Sequence, residues 1–496
     1  MTNSSPERLD AFVGAARALL GREGWSEDAE RLEPWLTDWR SRYTGRAIAL
    51  CSPANTKEVA AIVRLCAKHR VPIVPQGGNS SMSGGATPDE TGNSILLSMR
   101  RMDRIRTFDP SQGRITCEAG VILETLQETV AQAGLRFPLT LGGKGSATVG
   151  GLVATNAGGT QVLQHGTMRA QVIGIEAVLA NGDALDLLAN LKKDNRGFDL
   201  KQLLIGSEGT LGIVTAASLR LLPAVGVRKV TWIGVNSPTT AHELLTLARE
   251  HAGPYLEGFE LLPDSSLAAV LDYLPVARRP IATPSPWHVL IEVASSFCDE
   301  DRMEAALQTL FEAAASSGLA DAATLAQNEA QAEAFWTLRD NISPAERARG
   351  PAMQHDVSVP VEDMAAFIEH AIPAVERRFA GTRALAFGHL GDGNVHFHVQ
   401  APAGASAGLW ETTEGKEISA FVHGLVTEWK GSISAEHGIG QMKIDELERL
   451  HDPVALATMR AVKHALDPLN ILNPGKLVCP PPEQRRDNLA PDDSKA

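Results

Sequence analysis

Cysteine is scarce in this chain. Its 496 residues include five, Cys51, Cys66, Cys117, Cys298 and Cys479, and no two form a C-x-x-C pair. That excludes a zinc knuckle or a redox dithiol, and the scatter fits reduced thiols in a reducing compartment. Long hydrophobic runs are missing too. No apolar stretch approaches the roughly 18 residues of a membrane span. The opening residues, Met1 to Asp10, lack the charged-then-apolar order of a leader, so the expected location is the cytoplasm. Positive charge is in deficit, with 46 Lys and Arg against 59 Asp and Glu and a net charge of −13. Nucleic acid and acidic membranes need basic patches and are excluded as main partners. An anionic substrate would require positive charge concentrated locally against that field. Neither G-x-G-x-x-G after a strand nor a Walker A sequence occurs, so the common nucleotide fingerprints are absent. No repeat of fixed period is found.

What is present is the composition of a globular protein, 44% hydrophobic and 21% charged. The chain is too long for one ordinary core, so two or three lobes are expected. Residues 6–40 read as helical. "KEVAAIVRLCAKH" (Lys57 to His69) places Val59, Ile62, Val63 and Cys66 on one helical face. "VPIVP" is a short strand bounded by prolines, and "SILLSM", "RITCEAG", "VIGIEAVLA" and "GIVTAASLRLL" read as further strands. A helix is expected at Leu123 to Ala133. This is an α+β pattern without strict βαβ repetition. After Pro223 the order becomes strand, helix, strand, helix: "RKVTWIGV", Thr239 to His251, "WHVLIEVA", Asp299 to Ser317. Long helices in that order predict an antiparallel sheet covered on one face. "RALAFGHLGDGNVHFHVQ" adds two strands and a tight turn. Glu436 to Leu477 reads as mostly helical, and the Pro- and Asp-rich tail from Pro480 as disordered. The expected boundaries are 1–225, 226–435, 436–479 and 480–496.

Three glycine clusters stand out: "PQGGNSSMSGG" (Pro75 to Gly85), "GGKGSATVGGLVATNAGG" (Gly142 to Gly159) and "GSEGTLG" (Gly206 to Gly212). Glycine allows positive φ and close approach of backbone to a ligand. Successive N–H groups in such turns bind phosphate oxygens, and Ser80, Ser81, Ser83, Ser146 and Thr148 add hydroxyls. One cluster alone would be a tight turn. Three, each following a strand-like run, point to a dinucleotide.

Two other segments carry candidate ligands: "GHLGDGNVHFH" (Gly388 to His398) and "SAEHGIG" (Ser434 to Gly440). They hold His389, His396, His398, Glu436 and His437, four of only 14 histidines among them. His396 and His398 stand two apart on a strand and face one side. His389 precedes the "GDGN" turn, which can fold it back toward His396. Glu436 and His437 are adjacent and point differently, so one could ligate while the other acts as a base. Two His and one Glu suit a three-ligand catalytic metal site. The other reading is a set of surface or core-satisfied histidines.

The quoted glycine clusters, with "GSEGTLGIVT" and the terminal "NILNPGK", resemble the PP-loop flavoenzymes of the vanillyl-alcohol-oxidase type, from about Arg46 to Leu477. The resemblance implies a two-subdomain PP-loop FAD-binding domain, an antiparallel-sheet substrate or cap domain, and a helical C-terminal segment returning to the flavin. It implies FAD on Pro75, Gln76, Gly77, Gly78, Asn79, Ser80, Ser81, Gly143, Ser146, Thr148, Gly151, Thr155, Asn156, Gly158, Ile213 and Asn473, with Lys476 nearby. Some relatives tether FAD through a His in the first loop. None stands there, so FAD is expected to be noncovalent.

Within that family "LKKDNRGFDLKQLLIGSEGTLGIVT", "FGHLGDGNVH" and "SAEHGIG" resemble the D-2-hydroxyglutarate and D-lactate dehydrogenase branch, the former group most. This implies a divalent metal, zinc foremost, on His389, His396 and Glu436, with His437 as base. Arg339 in "WTLRDNIS" would clamp a carboxylate, with Ser343 at i+4. Gln354 stands where the hydroxyglutarate group has Lys, and His398 where it has Asn. Both are expected at the substrate, and both put the exact acid in doubt. The implied reaction passes hydride from a small anionic D-2-hydroxy acid to flavin N5, giving the 2-oxo acid. D-lactate, another D-2-hydroxy acid, or a flavin-subunit role in a glycolate-oxidising complex are the alternatives. Electron-transfer flavoprotein or quinone is the implied acceptor, and a homodimer is an assembly open to the chain.

Overall fold

The computed structural model describes residues 6–189, 191, 193–297 and 300–480. The expected disordered tail therefore lies outside the described residues from 481 onward, as does Cys298. The other four cysteines carry free thiols. No helix among the described residues is long and apolar enough to cross a membrane. The chain divides into two compact units: residues 1–157, 167–222 and 437–496 form one, and 158–166 with 223–436 the other.

The first unit holds two larger sheets, each with its own core. Strands Ile73–Gln76 and Ile95–Ser98 run parallel in a four-stranded sheet. Helix Thr56–His69 belongs to the same core and buries Val59, Ile62, Val63 and Cys66 as its spacing predicts. Asn55 caps its first turn by accepting from Glu58 N–H, and Arg70 ends it in the left-handed region. The second sheet has five antiparallel strands, with Ile213–Arg220 at its centre.

Two sequence expectations are corrected here. Residues 6–40 are not helical throughout. The helix Pro6–Gly24 already departs from helical angles at Gly21, Trp25 and Ser26 then pair as a strand with Leu50 and Cys51, and only short turns follow. The C-terminal region is helical only over Ile444–Leu450 and Pro453–Leu466. Residues before Ile444 form a loop because Gly438 and Gly440 take positive φ. A Cβ on Gly440 would lie 2.1 Å from the Ser83 carbonyl oxygen. Beyond the last helix, buried Lys463 donates to Asp467 and to the carbonyls of Thr210 and Leu472. That network delivers Ile471 to Asn473 alongside Ile73.

The second unit is built on a seven-stranded sheet in the order Ala322–Leu325, Val227–Val235, Trp287–Ser295, Leu256–Pro263, Arg383–His389, Asn394–Gln400, Ala352–Ser358. Every pairing is antiparallel. One face packs Ile233, Phe259, Ile291, Ala386 and Phe397 against helices Pro238–Ala252, Glu300–Ser316, Met364–Arg378 and Glu414–Glu428. The expectation of a single covered face is also corrected. Trp232, Leu262, Leu290 and Phe387 point the other way into a second core with Leu267, Phe335 and Ile342 from helices Asp264–Tyr273, Glu329–Asp340 and Ile342–Ala348. Both faces must be apolar here because the sheet is sandwiched between helices.

Candidate active site

Strand alternation explains how the second unit gathers its polar groups. On Arg383–His389, Ala384 and Ala386 enter one core, while Leu385 and Phe387 face the other side, which His389 shares by parity. On Asn394–Gln400, Val395, Phe397 and Val399 are core, so His396 and His398 take the opposite face. The turn between these strands closes at Gly393, at φ +84, where a Cβ would meet the Val359 carbonyl oxygen at 2.2 Å. It brings the His389 and His396 rings to 5.4 Å between centroids. Glu436 reaches the same place. One ligand atom from each of His389, His396 and Glu436 lies within 4.8 Å of the others. His398 is not in this trio; its buried ring packs edge-on against Phe387 at 5.0 Å.

The surroundings of the trio fit a divalent cation. A metal-ligating His normally directs its second ring nitrogen to a carboxylate. His389 does so, with Nδ1 2.5 Å from Glu260 Oε1, while Nε2 lies 3.9 Å from Glu436 Oε1. Asp356 stands behind the other two: Oδ2 accepts from Glu436 N–H at 2.9 Å, and Oδ1 is 3.9 Å from His396 Nδ1. Burial, with Asp356 and Asp392 close by, pushes the Glu436 carboxyl up to about 7 against the pull of His389 and Arg339. This is a site with more acid than base. Burial works against charge on His389, but Glu260 overrides it and raises the imidazole to about 9. Burial would likewise raise Glu260, yet Arg339 and His389 hold it down at about 2. Burial also raises Asp392.

Arg339 ends helix Glu329–Asp340 and donates from Nε to Glu260 Oε2 at 2.8 Å. Ser343 does not continue that helix. Asn341 leaves helical geometry and Ser343 belongs to the next one, Ile342–Ala348, so the i+4 relation is not that of a single helix. Gln354 sits opposite His398 in the strand register, with its Nε2 buried and without a hydrogen-bond partner.

In the first unit the glycine clusters pack on one another. A Cβ on Gly77 would lie 2.1 Å from Thr148 Oγ1, and one on Gly78 would lie 1.7 Å from the Ser146 carbonyl oxygen. Pro75 and Gln76 end the strand before the loop, and Asn79 holds a φ of 54°. Gln76 Nε2 donates to the carbonyls of Trp35 and Ala86 and to Asn79 Oδ1. Ser81 Oγ accepts from Gly85 N–H. Ser80 Cβ lies 3.7 Å from where a Cβ on Gly143 would stand. Gly151 and Thr155 lie in helix Val149–Thr155, which Asn156 ends in the left-handed region. Asn473 Nδ2 donates to the carbonyls of Gly85 and Glu208, tying the terminal segment to the first and third clusters. Gln76 Oε1, Thr148 Oγ1 and Asn473 Oδ1 are buried with no partner. Orphaned polar atoms beside loops too close for side chains fit a polar cofactor. Lys476 is buried, which lowers its ammonium to about 8. Ile213 contributes its side chain to the core and pairs with Val178 in the five-stranded sheet. Gly158 falls in the second unit, where a Cβ would come 3.3 Å from Glu436 Oε1.

The unit boundary falls between Glu436 and His437. The His437 carbonyl accepts from Ser83 Oγ, and the next turn is anchored by buried Glu208, which accepts from the N–H groups of Ile439 and Gly440. Glu208, Glu260, Asp356 and Asp392 were not singled out from the sequence. The available signal was an acid inside an apolar run, as in "LEGFELLP", whose eight positions are all buried.

Comparison with known proteins agrees with this architecture. Residues 47–188 match the model of an FAD binding domain, and residues 226–477 that of the C-terminal domain of FAD linked oxidases. The D-2-hydroxyglutarate dehydrogenase, mitochondrial, of Arabidopsis thaliana is 37% identical over 94% of this chain and 81% of its own length. The D-2-hydroxyglutarate dehydrogenase of Xanthomonas citri pv. viticola is 34% identical over 90% of this chain and 92% of its own. Among solved structures, p-cresol methylhydroxylase with substrate bound superposes with a TM-score of 0.75 at 16% identity, covering 96% of this chain and 98% of that one, which speaks for the fold. The chain belongs to the FAD-linked oxidase family, in the group of FAD-dependent dehydrogenases that its D-2-hydroxyglutarate dehydrogenase relatives form.

Proposed function

We propose that the protein oxidises a D-2-hydroxy acid, D-2-hydroxyglutarate foremost, to the 2-oxo acid. The observation that carries the reading is the trio His389, His396 and Glu436, backed by Glu260 and Asp356 and bordered by Arg339. Those three ligands would hold a divalent cation, and two imidazoles with one carboxylate suit zinc. When bound, the cation supplies Lewis acidity to the substrate hydroxyl and FAD supplies the hydride acceptor.

The chain's own residues do the rest. The first-unit loops from Pro75 to Ser81 and from Gly143 to Asn156, with Asn473, would hold FAD noncovalently. Arg339 would receive the C1 carboxylate on the Nη edge that Glu260 leaves free. That supplies the local positive charge an anionic substrate needs in an acidic protein. His437 would take the hydroxyl proton, a contribution of about 10²–10⁴ in rate. Ser343, Gln354 and His398 would face the rest of the substrate. Within the second unit, the burial of Glu260 and His389 strengthens the contacts that these residues make with each other and with Arg339.

For the acceptor we propose electron-transfer flavoprotein or quinone, and for the assembly a homodimer. The cytoplasmic location expected from the sequence is to be weighed against the mitochondrial name of the plant relative, and fractionation decides it. The reading as a whole is tested by dye reduction over a panel of D- and L-2-hydroxy acids, with and without chelator. Chelator-sensitive oxidation of D acids is the expected result, and full activity in a metal-stripped sample overturns the metal's role.

A further inference from the structure

Glu260 lies within strand Leu256–Pro263, itself 1% exposed, where an ionised carboxylate must be fully compensated. Its two oxygens serve different partners. Oε1 faces His389 Nδ1 at 2.5 Å, and Oε2 accepts from Arg339 Nε at 2.8 Å. Arg339 Nη2 stands 3.4 and 3.3 Å from the two ring nitrogens of His389, within hydrogen-bond reach of the imidazole and at longer range than the Glu260 contact. An ionised carboxylate only accepts. The hydrogen between Glu260 and His389 therefore belongs to Nδ1, and Nε2 is the nitrogen left facing Glu436.

We propose that Glu260 is a positioning residue with two outputs. One oxygen fixes the Nδ1–H tautomer of His389, which turns the Nε2 lone pair toward the cation site. The other fixes the heading of Arg339. The ligating imidazole and the guanidinium that receives the substrate carboxylate are thereby held in one frame by a single side chain. The inference rests on the metal and carboxylate roles proposed above.

Glutamine separates this role from simple packing. Glu260→Gln keeps size and hydrogen-bonding capacity, but offers one acceptor and one donor. If its oxygen takes the Arg339 Nε–H, its amide N–H faces His389 Nδ1 and drives the ring proton to Nε2, the ligating nitrogen. In the reverse orientation, donor meets donor at Arg339. A residue needed only for packing would tolerate this change.

The test compares the wild-type protein, Glu260→Gln and Glu260→Asp with FAD bound, titrated with zinc alone against a competing chelator. Zinc affinity should fall about 10–100-fold in Glu260→Gln and recover in part in Glu260→Asp, which retains the charge. KM for D-2-hydroxyglutarate should rise in Glu260→Gln as Arg339 loses its heading. In ¹⁵N-histidine-labelled wild-type protein loaded with zinc, the His389 signals, assigned by their loss in His389→Ala, should show Nδ1 protonated and Nε2 ligated. Ligation through Nδ1 overturns the inference whether or not the glutamine variant folds. Equal zinc affinity in Glu260→Gln and wild type overturns the inference and leaves the metal reading standing. A wild-type protein that takes up no zinc overturns both.

Discussion

Asp356 Oδ2 accepts a hydrogen bond from the backbone N–H of Glu436 at 2.9 Å, so a buried strand residue holds the segment that presents the carboxylate of the trio. The other oxygen, Oδ1, accepts from Asn394 Nδ2 at 3.0 Å and lies 3.9 Å from His396 Nδ1. One aspartate thus ties together the segments carrying two of the three candidate ligands. Asp356→Ala leaves the Asn394 amide short of a buried partner, at about 1–3 kcal/mol. It should lower the melting temperature modestly and metal content severely. Unchanged metal content by elemental analysis would remove Asp356 from the site's support.

The ligands themselves give a sharper split. Lewis-acid stabilisation is worth several kcal/mol, so His389→Ala or Glu436→Ala should cut kcat by about 10³ or more. The first-unit loops proposed to hold FAD contain neither residue, so the flavin absorption spectrum should be retained. Loss of flavin together with activity would mean that these side chains support folding first.

Much of this arrangement was legible in the sequence because it depends on local rules. Apolar spacing placed helix Thr56–His69 within one residue, alternation put His396 and His398 on one face, and the glycine-bounded turn allowed His389 to fold back toward His396. Other features depend on partners far along the chain. Glu260 is meaningful only through Arg339, 79 residues away, and His389, 129 residues away. The second covered face of the sheet was missed for a related reason: helix periodicity reveals an apolar stripe, but not which face of the sheet receives it. The loop before Ile444 is not legible as such from local spacing, because its conformation depends on Glu208, more than 200 residues away, which accepts from the N–H groups of Ile439 and Gly440.

Flavin binding should depend on the contact between the first two glycine clusters. A methyl on Gly78 would stand 1.7 Å from a backbone oxygen, that of Ser146, which cannot rotate away as a flexible side chain could. Gly78→Ala should purify with a large fraction of its FAD missing, read as the ratio of visible to ultraviolet absorbance. A fully flavinated Gly78→Ala protein would show that the two loops can separate without loss of the cofactor.

Substrate preference has its most direct handle at Gln354. Its buried Nε2 has no hydrogen-bond partner, and it pairs across the sheet with His398 on the candidate substrate face. Lysine places a cation there. Gln354→Lys should raise kcat/KM for D-2-hydroxyglutarate relative to D-lactate by about tenfold, the value of roughly 1.4 kcal/mol of added charge-assisted bonding. An unaltered ratio would mean that position 354 does not meet the distal carboxylate.

Acid sensitivity should arise partly in the first unit, far in sequence from the chemistry. Arg106 donates to Glu118 at 3.2 Å and to Glu176 at 2.9 Å, while Glu176 also accepts from Thr56 and Thr215 hydroxyls at 2.6 and 2.7 Å. Burial works to raise both carboxyls, but hydrogen bonds from Arg104 and Arg106 overrule it at Glu118, and those from Arg106, Thr56 and Thr215 at Glu176, holding both below the usual 4.5. The folded protein therefore keeps these groups ionised at a pH where the unfolded chain has begun to bind protons. Their contribution is complete above about pH 4.5 and fades as pH falls below it. Glu176→Gln should cost about 1–3 kcal/mol at neutral pH, since it strips a charged acceptor from Arg106. It should also lose less stability than the wild type on acidification, because the proton-linked part is already gone. Calorimetric scans at a series of pH values would check this, and parallel declines in the two proteins would mean that Glu176 is not among the groups driving acid unfolding.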